Sequence, residues 1–151
     1  MDATRVELTY EREGAKMLRS LTAFTSSREI AEDAVAEAFA RALQHDGEIR
    51  EVSPWVWRVA FRVAAAEAAR RSRPVPHVDD LGEVSTDTAV DLIRALATLS
   101  PKQRASIVLH HYAGHPVRDV ASIIGSTPPA VRVHLSTGRT RLRKILEAND
   151  E

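Results

Sequence analysis

Between Thr127 and Leu146 the chain carries Arg132, His134, Arg139, Arg141, Arg143 and Lys144, and no acid before Glu147. Guanidinium and ammonium groups in one run suit phosphate neutralisation, and an arginine reaching a base edge can pair with guanine. The plainer alternative is the solvated basic face of an ordinary helical pair. A second constellation is Asp33, Glu37 and Arg41, a charged stripe at four-residue spacing. Such stripes are usually solvated faces. A third runs from Trp55 to Arg73, where Trp57, Phe61, Arg58, Arg62 and Arg70 set aromatic rings among cations. Rings stack on bases and arginines meet phosphates. The competing reading of Trp55 and Trp57 is core packing, and it is preferred for Trp55.

Bond-making chemistry finds no support. His111 and His115 stand four apart, but Gly114 and Pro116 break the helix that would align them on a metal. The chain has no cysteine to complete a zinc site. There is no glycine-rich phosphate loop, and no Ser-His-acid set can be assigned. No catalytic residue, metal ligand or cofactor is therefore expected, and the protein is not read as an enzyme.

The basic run must be held by a helix, and Pro128 and Pro129 show where that helix begins. Inside a helix a proline costs about 3 kcal/mol, whereas at the first positions its missing donor has no partner to lose. Thr127 is placed to cap the start. The preceding "VRDVASIIG" predicts a two-turn helix ended by Gly125, with Val117, Val120, Ala121 and Ile124 inward. A short helix, a tight turn and a basic second helix make a helix-turn-helix, whose second helix enters the major groove. Val131, Leu135, Leu142, Ile145 and Leu146 are its expected inward face.

The bulk composition agrees with small helical units. The chain has 151 residues, of which 44% are apolar and only 5% aromatic. Its formal net charge is zero, but the charges are sorted. Residues 26–51 carry three bases against seven acids, and residues 52–73 five bases against one acid. Residues 74–100 carry one base and five acids, and residues 101–151 eight bases and four acids. Two basic segments thus each follow an acidic one. The N-terminus lacks the pattern of a signal peptide, and no apolar run approaches the roughly 20 residues of a membrane span. A reducing, cytoplasmic setting without membrane insertion is expected.

Three further helices precede the linker. Residues 5–24 read as a helix with Leu8, Leu18, Leu21 and Phe24 inward. Ser26 and Glu29 have capping-box spacing ahead of a second helix, whose Ile30, Ala31, Ala34, Val35, Ala38, Phe39 and Ala42 recur at helical spacing. Ser53 and Pro54 read as the start of a third, with Val56, Val59, Ala60 and Val63 on one face. Residues 74–88 have the prolines, glycine and acids of a linker. Beyond it, residues 89–98 predict a short helix with Val90, Ile93, Leu96 and Ala97 inside. Ser100, Pro101 and Gln103 then open a helix running to about Tyr112. The expected architecture is all-α: two small helical domains, 1–73 and 89–151, joined by a flexible acidic linker at 74–88, the second domain a helix-turn-helix.

These segments, taken in order, resemble the extracytoplasmic-function group of bacterial RNA polymerase sigma factors. "LSPKQRASIVLHHYAGHPVRDVASIIGSTPPAVRVHLSTGRTRLRKIL" resembles their region 4, "REIAEDAVAEAFARAL" region 2.2, and "PWVWRVAFRVAAAEAARRSR" regions 2.3 to 2.4. The resemblance implies a factor that binds core polymerase through its β and β′ subunits and directs promoter-specific initiation. It implies docking on β′ by Asp33, Glu37 and Arg41, and minus-10 contacts by Trp57, Arg58, Phe61, Arg62 and Arg70. Minus-35 contacts fall to Thr127, Arg132, Val133, His134, Ser136, Thr137, Arg139 and Arg141. The acidic linker would thread a basic polymerase channel, and an anti-sigma factor is a further implied partner. Ala36, Leu43, Ala66 and Thr137 depart from polar or aromatic residues common in the family. These departures keep open a second reading, a sigma-like DNA-binding regulator that has lost promoter opening.

Overall fold

The computed structural model describes residues 4–71, 81 and 87–149. Among the described residues seven α-helices follow one another and there is no strand. They are α1 (Arg5–Thr25), α2 (Arg28–Gln44), α3 (Val52–Arg71), α4 (Asp87–Ala97), α5 (Pro101–Ile107), α6 (Val117–Ile124) and α7 (Pro128–Asn149). A 3-10 turn at Asp46–Glu48 joins α2 to α3, and a π-helical turn at Val108–Tyr112 extends α5.

Helices α1 to α3 pack as a bundle around Met17, Leu21, Phe24, Ala34, Ala38, Val56 and Ala60, all buried. The alanine stripe of α2 lets its two neighbours approach closely. Arg5 pins the start of α1 to the turn before α3, donating to Asp46 Oδ1 at 2.7 Å, Asp46 O at 2.6 Å and Ile49 O at 2.8 Å. The α1–α2 junction differs from the expected capping box. Ser26 closes α1 in the left-handed region (φ 60°), and its N–H donates to Thr22 O at 2.8 Å. Ser27 caps α2, its Oγ accepting from Ile30 N at 3.2 Å. Leu8 is 47% exposed rather than buried. It lies two residues from buried Val6, about 200° round the helix. Helix α3 starts at Val52, because that side chain is drawn into the core. Pro54 falls inside the first turn, where it forfeits no bond.

In the second unit the cap at Ser100 is a full capping box. Ser100 Oγ accepts from Gln103 N at 3.2 Å, and Gln103 Oε1 accepts from Ser100 N at 3.3 Å. Helix α4 begins at Asp87, inside the segment expected to be linker. The rest of that segment, with Asp79, Asp80 and Glu83, lies outside the described residues except for Leu81, which is buried with Val90 and Ile93. Helix α6 buries Val120, Ala121 and Ile123, while Ile124 and Val117 are half-buried against the core.

The two units do not stand apart. One continuous buried cluster runs from Val6 through Ala64 to Leu96, Leu109, Val131 and Leu135. Helix α6 lies on α3, and α1 packs against α4 and the π-helical turn.

Candidate nucleic-acid interface

Helix α7 is positioned from three sides. At its start Thr127 Oγ1 accepts from Ala130 N at 3.3 Å, so the two prolines occupy the first turn as their chemistry requires. The turn before it is closed by Gly125 in the left-handed region (φ 72°), with Ser126 N donating to Ala121 O at 2.9 Å. On its inner face Val131 and Leu135 are buried. Gly138 lets α7 approach α5, since a Cβ there would lie 3.2 Å from Ile107 Cγ1. A short helix, a glycine turn and a long helix therefore form the expected helix-turn-helix.

Most other side chains of α7 point outward, while Leu142 packs half-buried against the core. Arg132, Val133, Ser136, Thr137, Arg139 and Arg141 are exposed, as is the capping Thr127, while His134 is half-buried. Arg139 Nη1 lies 3.3 Å from His111 Nε2, and Arg141 donates to Gln103 Oε1 at 3.1 Å. Both cations are thus steered along the flank of α5. Burial, with the neighbouring charges of His110 and Arg139, lowers the His111 pKa, which favours the neutral ring that can accept from the Arg139 guanidinium.

The acidic stripe of α2 also faces solvent. Asp33, Glu37 and Arg41 are exposed, and Arg41 Nε donates to Glu37 Oε1 at 2.7 Å.

Helix α3 corrects part of the expectation. Arg62 and Arg70 are exposed and Arg58 is half-buried, but Trp57 is 0% and Phe61 9% exposed. Trp57 donates from Nε1 to Glu13 Oε1 at 3.0 Å and packs edge to face on His115. Phe61 lies against Phe24, with centroids 5.0 Å apart. Helix α6 covers this part of α3, so in this arrangement the two rings are core and not a stacking platform. Trp55 is half-buried at the edge of the same core. Arg70 is held by Glu67, which Arg71 also engages; these two hydrogen bonds keep the Glu67 carboxyl below its usual range.

The sequence reading missed Arg104. Its guanidinium donates to Leu96 O at 3.0 Å, Leu99 O at 3.0 Å and Phe24 O at 3.2 Å, over the Phe24 ring. It thereby ties the C-terminal ends of α1 and α4 to α5. Only three-dimensional proximity brings these carbonyls together, so no local motif announces it. Between α1, α4, α5 and α7 lies an apolar cleft of about 900 Å³. Leu18, Leu92, Ile93, Leu96 and Leu142 line it, together with Arg19, Arg28 and Arg139. Among the described residues no cluster of His, Asp or Glu could hold a metal, and no helix is long and apolar enough to cross a membrane.

Comparison with known proteins gives this geometry its family. Residues 89–142 match the family described as Sigma-70, region 4. Over 139 residues the chain is 30% identical to the ECF RNA polymerase sigma factor SigM of Mycobacterium tuberculosis, spanning 85% of this chain and 69% of that protein. The chain belongs to the extracytoplasmic-function RNA polymerase sigma factors. The RNA polymerase sigma-E factor of Streptomyces avermitilis is 31% identical over 121 residues, 80% of this chain and 63% of that one. Two solved structures share the fold of this sigma factor. One is RpoE in complex with the anti-sigma factor NepR from Bartonella quintana, with a TM-score of 0.71, 22% identity, and 91% and 95% of the two chains covered. The other is CnrH in complex with the cytosolic domain of CnrY, with a TM-score of 0.72, 19% identity, and 95% and 88% covered. The sigma factor acts in transcription initiation, in a family of transcription factors rather than classical enzymes. A regulator that has lost initiation is not favoured by relatives named as sigma factors.

Proposed function

We propose that this sigma factor binds core RNA polymerase through the exposed face of α2 and reads two promoter elements, using α3 and α7. In this reading residues 1–73 are the core-docking and minus-10 domain, 74–88 the connecting segment, and 89–151 the minus-35 domain. The observation that carries it is the outer face of α7. Right after a tight glycine turn, a helix anchored by Val131 and Leu135 presents Arg132, Val133, Ser136, Thr137, Arg139 and Arg141 to solvent. A recognition helix meets base edges with its N-terminal turns and phosphates with the cations around them. Asp33, Glu37 and Arg41 contact β′, and Arg58, Arg62 and Arg70 meet the backbone of the opened strand. Trp57 and Phe61 reach it only when α6 leaves α3.

The protein works in the cytoplasm, where polymerase and promoter are, and needs neither cofactor nor catalytic residue of its own. An anti-sigma factor is a further partner. Both structural neighbours were solved with protein partners, one named as an anti-sigma factor, and the apolar cleft between the two helical units is open to an amphipathic helix.

The test is transcription in vitro with sigma-free core polymerase and genomic DNA of the source, followed by sequencing of RNA 5′ ends. Discrete start sites sharing two upstream elements are expected. Core binding without protein-dependent starts would overturn the initiation role.

A further inference from the structure

Val133 is 62% exposed, the largest exposure recorded among the described large hydrophobic residues. It sits where exposure is hardest to explain by packing. At about 100° per residue, it lies almost opposite buried Val131 and Leu135. Of its neighbours at three- and four-residue spacing, Pro129, Ser136 and Thr137 are exposed and Ala130 is half-buried. Thr140 continues the same line one turn later, also exposed. This strip bears methyl and hydroxyl groups and no charge. The cations of α7 frame it: Arg132, Arg139 and Arg143 along one edge, Arg141 along the other, and Lys144 beyond its C-terminal end. With α7 laid in a major groove, those edges would meet the two phosphate walls and the uncharged strip the groove floor.

On a major-groove floor, a side chain with no donor or acceptor can distinguish one feature only, the 5-methyl group of thymine. Guanine, adenine and cytosine present polar edges that Val133 would desolvate without a partner. We propose that Val133 is a specificity-determining residue that reads a thymine 5-methyl group in the upstream promoter element, with the Thr137 methyl on the same strip beside it. This inference rests on the reading of α7 as the minus-35 recognition helix and adds to it the identity of a base.

The experiment uses holoenzyme reconstituted on core polymerase and a promoter duplex found by start-site sequencing. Each thymine of the upstream element is replaced in turn by deoxyuridine, which removes the methyl group and leaves every hydrogen bond unchanged. For the wild type, one position should weaken binding by about fourfold, the worth of one buried methyl-sized group. With Val133→Ser, a surface change that leaves the core of α7 alone, that penalty should vanish while deoxyuridine effects elsewhere persist. An equal penalty in both proteins, or none at any thymine in the wild type, would overturn the proposal while leaving promoter recognition standing. A wild-type holoenzyme that binds this duplex no better than a scrambled one would overturn the recognition-helix reading, and this assignment with it.

Discussion

The indole of Trp57 and the imidazole of His115 meet edge to face, centroids 4.4 Å apart and planes at 81°, and through them α3 meets the turn that leads into α6. His115 is half-buried, and its Nε2 has no hydrogen-bond partner among the described residues. Its pKa is lowered, above all by burial; Lys16 adds to the effect, while Asp119 and Glu13 oppose it. The packed state therefore prefers the neutral ring. As pH falls below about 6.5, the unfolded chain takes up a proton that the packed state refuses. Stability contributed by this contact is complete above that pH and is lost as pH drops toward the lowered folded value. His111 shifts the same way. The melting temperature of the wild type should fall between pH 7.5 and pH 5.5. His115→Phe, which keeps a ring and removes the titration, should flatten part of that fall. An undiminished pH dependence in the variant would remove His115 from the account.

Arg104 should matter more to stability than any exposed arginine. Its half-buried guanidinium satisfies the last carbonyls of two helices from the two halves of the chain. Burial lowers its pKa, but an arginine remains charged at any physiological pH. Arg104→Met keeps much of the stem and strips the donors, leaving Phe24 O and Leu99 O without this partner. Urea unfolding should show a loss of about 2–3 kcal/mol. Arg104→Lys should recover only part of it, because a single ammonium cannot span the fork. A loss of under about 0.5 kcal/mol for Arg104→Met would mean that water replaces the guanidinium at no cost.

Most of the fold was legible because it is written in local signals. The Ser100 capping box, the Gly125 turn and the Thr127-Pro128 start each act within a few residues, and all three stand where the spacing places them. The alanine face of α2 was equally plain, because seven positions agree on one side. The misread points are those where two elements compete for one residue or where distant parts meet. Ser26 looks like a cap for α2 but is taken by the end of α1. The exposed half of the candidate interface was readable, since Arg132, Val133, Ser136 and Thr137 follow from the helix phase. Trp57 was not, because its burial depends on α6, a helix 60 residues away in sequence that docks on α3. An aromatic beside arginines gives the same pattern whether it stacks on a base or closes an interface.

Glu37 tests the docking face without touching the core. Its carboxylate is exposed and accepts from Arg41 Nε at 2.7 Å. An exposed pair of this kind adds only a few tenths of a kcal/mol to stability. Glu37→Lys should leave the thermal midpoint within a degree or two while weakening affinity for core polymerase by more than about tenfold, since it sets like charge against like in a complementary contact. Glu11→Lys, the same charge reversal at an exposed position of α1, serves as the control for general charge. Equal weakening by both variants would point to net charge rather than to the Glu37 position. Unchanged core binding by Glu37→Lys would place the docking surface elsewhere.

Arg132 and Arg141 should separate base reading from phosphate contact. Arg132 lies in the first turns of α7, beside Val133 and close to where base edges would come. Arg141 lies more than two turns later and is drawn toward α5 by Gln103 Oε1. Arg132→Ala should cost about 1–3 kcal/mol on the preferred promoter and less on a promoter mutated at the contacted pair, so the preference narrows. Arg141→Ala should weaken all sequences alike and lower the slope of log K against log salt by about 1. The measurement is holoenzyme binding to matched and mutated duplexes across a salt series. If Arg132→Ala loses equally on every sequence and also lowers the slope, the residue meets a phosphate. Base discrimination would then fall to the uncharged strip of Val133, Ser136 and Thr137 alone.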